Sequence, residues 1–180
     1  IDKAKIMTQE RGHLDRISNQ EREQLYAQIG LGGLKYYLLK VDPKKRMLFN
    51  PEESIDLTGN TGPFLQYTHA RISTLLEKAA FDLMPLSTAA TLKQEEREII
   101  KQLSLFGATL QEAAQGYSPA VLANYAYDLV KLYNTFYQSV KILVEPDKSL
   151  RQMRLALSAG VRQVLATSLH LLGVEAPQRM

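Results

Sequence analysis

Tyr67, Arg71, Thr74 and Lys78 follow one another at spacings of four, three and four residues. At 100° per residue they fall within about 60° of one another, with their centre roughly 110° from the apolar centre of the same helix. One aromatic ring and two cations therefore share a stripe. Asn134, Tyr137 and Lys141 repeat the arrangement at spacings of three and four, and Arg151, Arg154, Ser158 and Arg162 form a third stripe, expected to lie beside the buried face. Cations that hold phosphates, next to tyrosines on which unstacked bases lie, are what binding to a single-stranded RNA loop requires. Each base stacked on an aromatic contributes about 1–3 kcal/mol. The same spacing also fits a solvated helix face whose Arg and Lys stems cover apolar rims, or a scaffold bundle that offers its tyrosines to a protein partner.

Other chemistries find no matching constellation. The three histidines, His13, His69 and His170, lie far apart with no ligand at helical spacing, so no metal is expected and each is assigned to a surface or helix end. Gly30-Leu31-Gly32-Gly33 is followed in register by neither the further glycine nor the Lys-Ser/Thr of a phosphate loop; it reads as a helix interruption that permits close packing. Glu52-Glu53 and Glu95-Glu96 are adjacent and point in different directions on a helix, which suits solvation better than acid–base work. No nucleophile-elbow serine is present, and no catalytic residue is assigned.

The elements that must position these stripes are nearly all helix-periodic. A polar helical stretch to about Arg11 and a loop with Gly12, His13 and Asp15 precede a helix capped by Ser18 or Asn19. Its glycines predict a kink, Asp42-Pro43 ends it, and a short strand is possible around Met47 to Phe49. The segment Thr58 to Pro63 marks a boundary, giving 1–57 as an appendage and 58–180 as the main domain. A helix from Pro63 to about Ala80 presents Phe64, Leu65, Thr68, Ile72, Leu75, Leu76 and Ala79 on one broad face, and a loop marked by Pro85 follows. Two shorter helices, about Lys93 to Leu105 and Ala108 to Gln115, lead to Ser118-Pro119, which opens a long helix to Val140. A last helix runs from about Leu150 to Leu172 and stops at Gly173. The fold class is all-α: a helical bundle preceded by a helical appendage.

Composition sets the frame. An apolar share of 45% and a charged share of 23% in 180 residues predict a folded chain with one good core or two small ones. The absence of cysteine rules out disulfides and thiolate metal sites and suits a reducing cytoplasm. No apolar run approaches the roughly 18–20 residues that cross a bilayer, so no membrane partner is expected. A net charge of +3 attracts a polyanion only weakly, but from Ser118 onward seven Lys or Arg face four Asp or Glu.

The run Phe49 to Arg71, FNPEESIDLTGNTGPFLQYTHAR, resembles the arginyl-tRNA synthetase family, in which G-N-T-G-P-[FY]-x-Q-Y-x-H-[AS]-R opens the anticodon-binding domain. Gly59, Asn60, Thr61, Gly62, Pro63, Phe64, Gln66, Tyr67, His69, Ala70 and Arg71 all match. Gly30 to Asp42 (GLGGLKYYLLKVD) resembles the segment that follows the family's catalytic signature. Ala123 to Tyr137 and Arg154 to Met180 resemble its last two helices, with the terminal Leu-Gly-[IV]-x-x-P-x-x-Met pattern. Phe81 to Glu98 is the least similar stretch.

The resemblance implies an all-α anticodon-binding domain preceded by the tail of the catalytic region that supports the tRNA stem. Its parent would be a class I synthetase, monomeric and cytoplasmic, that joins arginine to its tRNA with ATP and magnesium and needs bound tRNA for activation. Neither the HIGH-type motif nor the KMSKS-type loop is among these residues, and the chain starts in mid-helix without Met, so an excised, non-catalytic piece that binds no cofactor of its own is expected. The partners implied are the anticodon arm of arginine tRNA and the catalytic domain of the same polypeptide. By the same resemblance Tyr67 sits near the anticodon loop, Tyr137 is an aromatic of the penultimate helix, and Met180 is the terminal methionine that contacts anticodon-side nucleotides. The family usually ends Glu-Arg-Met, and Gln178 here replaces the acid. Arg71, Arg154 and Arg162 are phosphate-contact candidates from stripe geometry alone, with Lys78, Asn134, Lys141 and Arg151 beside them on the same stripes.

Overall fold

The computed structural model describes residue 5 and residues 18–82 and 91–180. The expected N-terminal stretch around His13 and most of the loop around Pro85 lie outside the described residues. Among those residues there are seven helices and no strand: α1 (Asn19–Leu39), α2 (Pro51–Ser54), α3 (Gly62–Lys78), α4 (Gln94–Ser104), α5 (Phe106–Gln115), α6 (Pro119–Ser139) and α7 (Lys148–Leu171).

Ser18 starts α1 with a capping box. Its Oγ accepts the Glu21 N–H at 3.3 Å, and a Glu21 carboxylate oxygen accepts the Ser18 N–H at 2.7 Å. The expected kink is absent, and α1 runs unbroken through Gly30, Gly32 and Gly33. Packing explains why. A Cβ on Gly32 would lie 2.6 Å from Gln66 Nε2, and one on Gly62 would lie 2.6 Å from the Gly32 carbonyl oxygen. The two backbones touch, and burial against α3 offsets the roughly 1 kcal/mol of helix propensity that each glycine gives up. The strand at Met47 to Phe49 does not form either, because that segment has no neighbouring strand to complete a ladder. Phe49 instead sets its ring edge-on to Tyr37 at 5.4 Å.

Asn50 caps the short α2 by accepting from Glu52 and Glu53 N–H groups. The turn that follows is held by Asn60. Its side-chain oxygen accepts from the buried Tyr36 hydroxyl at 2.6 Å, its Nδ2 donates to Asn124 Oδ1 at 3.2 Å, and its carbonyl accepts from Lys40 Nζ at 2.8 Å. Gly59 adopts the left-handed conformation at φ 76°, Thr61 caps α3, and Pro63 occupies its first turn.

The core lies where α3, α6 and α7 meet, filled by Leu65, Ile72, Leu129, Tyr133, Phe136, Val161, Leu165 and Leu169, with α4 and α5 packed on α6. Pro119 opens α6, although the Ser118 side chain makes no capping bond. Asp147 starts α7 earlier than the spacing predicts, accepting from Ser149 and Leu150 N–H groups. Gly173 ends that helix at φ 67° in a Schellman arrangement, with Val174 N–H bonded to the Leu169 carbonyl and Gly173 N–H to that of His170.

Arg154 departs most from expectation. It is buried, not solvated, with Nε 2.8 Å from Glu96 Oε1 and Nη1 on the Glu145 carboxylate. Glu96 also accepts the Lys93 N–H at 2.7 Å, so one guanidinium ties the start of α4 and the loop after α6 to α7. Ser158 is buried too, donating to the Arg154 carbonyl. Neither residue can reach a phosphate. Arg154→Met strands two carboxylates, and urea unfolding should show a loss of about 3–5 kcal/mol. The double variant Arg154→Met with Glu96→Met should recover much of that loss, because a buried charge left alone, more than a missing attraction, carries the cost.

Candidate nucleic-acid interface

The groove that matters is bounded by α3, the C-terminal end of α6, the loop after α6 and the chain's last residues. It encloses about 880 Å³ and is lined by Tyr67, Arg71, Thr74, Lys78, Tyr137 and Met180, with Ala70, Leu75, Glu77, Leu143 and Arg179. Two helical registers and the course of the tail explain the convergence. Tyr67, Arg71, Thr74 and Lys78 are successive outward turns of α3. Tyr137 stands one position beyond the fully buried Phe136, and Met180 arrives at the end of a tail that crosses α1 and α3. Among the lining side chains three cations face one carboxylate, Glu77, which is already paired with Arg179 at 2.9 Å.

The groove wall is anchored to the core through stacked rings. The Arg71 guanidinium carbon lies 4.0 Å from the Tyr137 ring centroid, a cation–π contact. Tyr137 rests against Tyr133 with centroids 6.1 Å apart, and the buried Tyr133 hydroxyl donates to Ser158 Oγ at 3.2 Å. Burial holds the Tyr133 phenol far above its ordinary pKa, so it stays a neutral donor. Tyr67 is 41% exposed and offers its ring directly to solvent. Because Arg71 lies over Tyr137, the surface presented there is a guanidinium backed by a ring.

Five of the ten candidate residues, Tyr67, Arg71, Lys78, Tyr137 and Met180, thus share one groove. The others are placed differently. Asn134 lies at the seam between α3 and α6, its Nδ2 3.5 Å from Thr68 Oγ1 and its Oδ1 buried. Lys141 is exposed on the loop after α6 and Arg151 is half-buried near the start of α7; neither lines the groove. Arg162 opens onto a smaller recess next door. Arg154 is the buried tie described above. Sequence patterning missed Arg179 and Leu143, whose positions depend on the paths of irregular segments with no periodicity to read.

The tail owes its course to side chains of α1 and α3. Gln66 Nε2 donates to the carbonyls of Glu175 at 2.8 Å and Gln28 at 3.2 Å, and Lys35 Nζ donates to that of Gly173 at 2.7 Å. His69 Nδ1 lies 2.9 Å from the Pro177 carbonyl oxygen, which can only accept, so Nδ1 carries the proton. His69 is therefore a buried strap, not the surface or helix-end residue expected. Burial is the main cause that lowers its pKa; the nearby positive charge of Arg162 adds to the effect and the bond to Pro177 opposes it.

Comparison with known proteins bears on this same region. The family model of the DALR anticodon binding domain matches residues 65–180. The chain belongs to that family. The match starts within α3, so Tyr67, Arg71, Tyr137 and Met180 all fall inside it. Curated relatives include an arginine–tRNA ligase of Flavobacterium psychrophilum, 50% identical over 177 residues, covering 98% of this chain and 29% of the relative. Another, from Parabacteroides distasonis, is 46% identical over 186 residues, covering 100% of this chain and 31% of that protein. The chain thus spans about three tenths of the length of the curated relatives it matches. Among solved structures, Thermus thermophilus arginyl-tRNA synthetase superposes with a TM-score of 0.90 at 32% identity, covering 99% of this chain and 30% of that one. The Plasmodium falciparum enzyme, at 20% identity over 99% of this chain and 32% of its own, shares the fold with a TM-score of 0.84.

The lowered pKa of His69 predicts that the strap weakens in acid. The folded imidazole has the lower pKa, so the unfolded chain binds the proton first. The strap's stability is complete above the ordinary value of 6.5 and is lost progressively as pH falls from there towards the folded value. Thermal melts taken from about pH 7.5 down to about pH 5 should show a falling midpoint in the parent protein. His69→Asn keeps a donor for Pro177 but cannot titrate, and should remove the His69 part of that slope.

Proposed function

We propose that this chain is the part of an arginine–tRNA ligase that holds the anticodon arm of arginine tRNA. What carries the reading is the meeting of Tyr67, Lys78, the Arg71–Tyr137 pair and Met180 at one open groove supplied by two helices and a tail. An unstacked base fits on the exposed Tyr67 ring, a second on the Arg71 plane, and Lys78 and Arg179 at the rim meet backbone phosphates. Met180 is an apolar wall for a base edge. The domain's task is positioning, and no bond is made or broken on it.

In this reading residues 1–57 are the tail of the catalytic region and 58–180 the anticodon-binding domain. The start of the family match at residue 65 supports a boundary near the Asn60 turn. The parent would be a cytoplasmic monomer that consumes ATP with magnesium. Among the described residues no group of three or more His, Cys, Asp or Glu is placed to hold a metal ion. We assign ATP and magnesium to the remaining part of the polypeptide. That part has a candidate seat on α1, where Leu31, Leu34 and Leu38 are 48%, 38% and 48% exposed on the side opposite Gly32, Gly33 and Tyr36.

A filter-binding titration with arginine tRNA and a noncognate tRNA tests the proposal. Tighter binding of the arginine tRNA at physiological salt is expected, and equal affinity for both would sink it. Tyr67→Ala should cost about 1–3 kcal/mol, the worth of one stacked base, with the fold intact. Arg71→Glu should weaken binding more, because it removes the platform over Tyr137 and places a negative charge beside the phosphates.

A further inference from the structure

Beside the main groove, and separated from it by Glu77 and Arg179, lies a second recess of about 430 Å³. Arg162 enters it from α7 and Arg179 from the tail, so two guanidinium groups from different elements share one small space. Arg179 lines both cavities. Its partner Glu77 is exposed and the pair is open to solvent, which makes it a weak contact that a phosphate can replace. Among the described residues no carboxylate pairs with Arg162, although it is only partly exposed. Its charge is nonetheless close enough to act on His69 beneath the tail. A half-covered guanidinium with no carboxylate among these residues paired to it, next to a second one whose carboxylate partner, Glu77, is exposed, leaves two positive charges facing one negative charge in the recess.

We infer that this recess is a separate phosphodiester subsite, in which Arg162 and Arg179 together hold one backbone phosphate of the RNA strand whose bases occupy the main groove. The inference rests on the groove being an RNA seat. It adds an exit direction for the strand: past Lys78, over the Glu77–Arg179 pair, and into the recess between α3, α7 and Gln178 of the tail. Glu77 has a defined part in this. In the free protein its carboxylate occupies Arg179, and the phosphate takes its place when the strand is bound. The subsite reads charge and not base identity, so it sets register and affinity without selecting sequence.

The test uses the whole chain and an RNA stem-loop with the arginine anticodon, titrated at several salt concentrations. The parent protein must bind first; if it does not, the RNA reading of the groove fails before the subsite is in question. With binding established, Arg162→Gln should weaken it about tenfold and reduce the slope of log affinity against log salt by about one, equally for cognate and noncognate loops. Arg162→Lys should restore the slope, and both variants should melt with the parent protein. Glu77→Gln should tighten binding several-fold by freeing Arg179. An unchanged salt slope in Arg162→Gln overturns the subsite. So does a loss that Arg162→Lys fails to restore, since that would mark Arg162 as packing.

Discussion

Everything at the interface depends on how an irregular tail finds hydrogen bonds while it crosses two helices. Residues Gly173 to Met180 form no secondary structure, so each of their backbone groups removed from water needs a partner. Gln66, His69 and Lys35 supply three of them, bonding the carbonyls of Glu175, Pro177 and Gly173. The tail is thereby held along α3 in a fixed register, and Arg179 and Met180 reach the rim of a groove whose other walls are helical. This requires α1 and α3 to approach closely enough for Gln66 to bond the Gln28 carbonyl as well, which the bare backbones of Gly32 and Gly62 allow. A side chain at either glycine would push the helices apart and lengthen the bonds that hold the tail.

That arrangement shows why the chain was legible in some places and not others. Helices α3, α6 and α7 could be read because their apolar residues repeat at the helical period, and burial of Leu65, Ile72, Leu129, Phe136, Val161 and Leu165 follows that pattern. The run Gln66 to Arg71 could be read only in half. Periodicity correctly turns Tyr67 and Arg71 outward. Gln66 and His69, polar by type, were given no inward role, yet they are buried because a neighbouring tail offers them carbonyls. The glycines of α1 misled for the same reason. Intrinsic propensity weakens a helix there, but contact with another backbone decides the outcome, and contact between distant segments is not a local property.

Arg154 and Arg71 make the point with one residue type. Both sit on helical stripes beside an apolar face. Arg71 lies over Tyr137 at the groove, whereas Arg154 is enclosed by Glu96, 58 positions earlier, and Glu145, nine positions earlier. Helical geometry places both side chains at the edge of a core; only the carboxylates brought in by other elements separate a structural ion pair from a free cation. Where patterning alone was available, the cations of α7 were indistinguishable. The two that differ most in fate, Arg154 and Arg162, stand eight residues apart on that helix.

The groove combines a stiff wall with a looser rim, and the difference follows from burial. Tyr137 leans on Tyr133, which is enclosed and bonded to Ser158, which in turn bonds the backbone of α7 at Arg154. A ring supported in this way has little freedom to lose when a flat ligand stacks against its neighbour, so ordering costs little at that position. At the rim, Lys78, Glu77 and Arg179 are exposed, and their long side chains can follow a strand whose backbone path varies. On the proposed function, bases, which are planar and alike in shape, would meet the part of the site that is held in place. On the same proposal, phosphates, attracted over longer range, would meet Lys78 and Arg179 at the exposed rim.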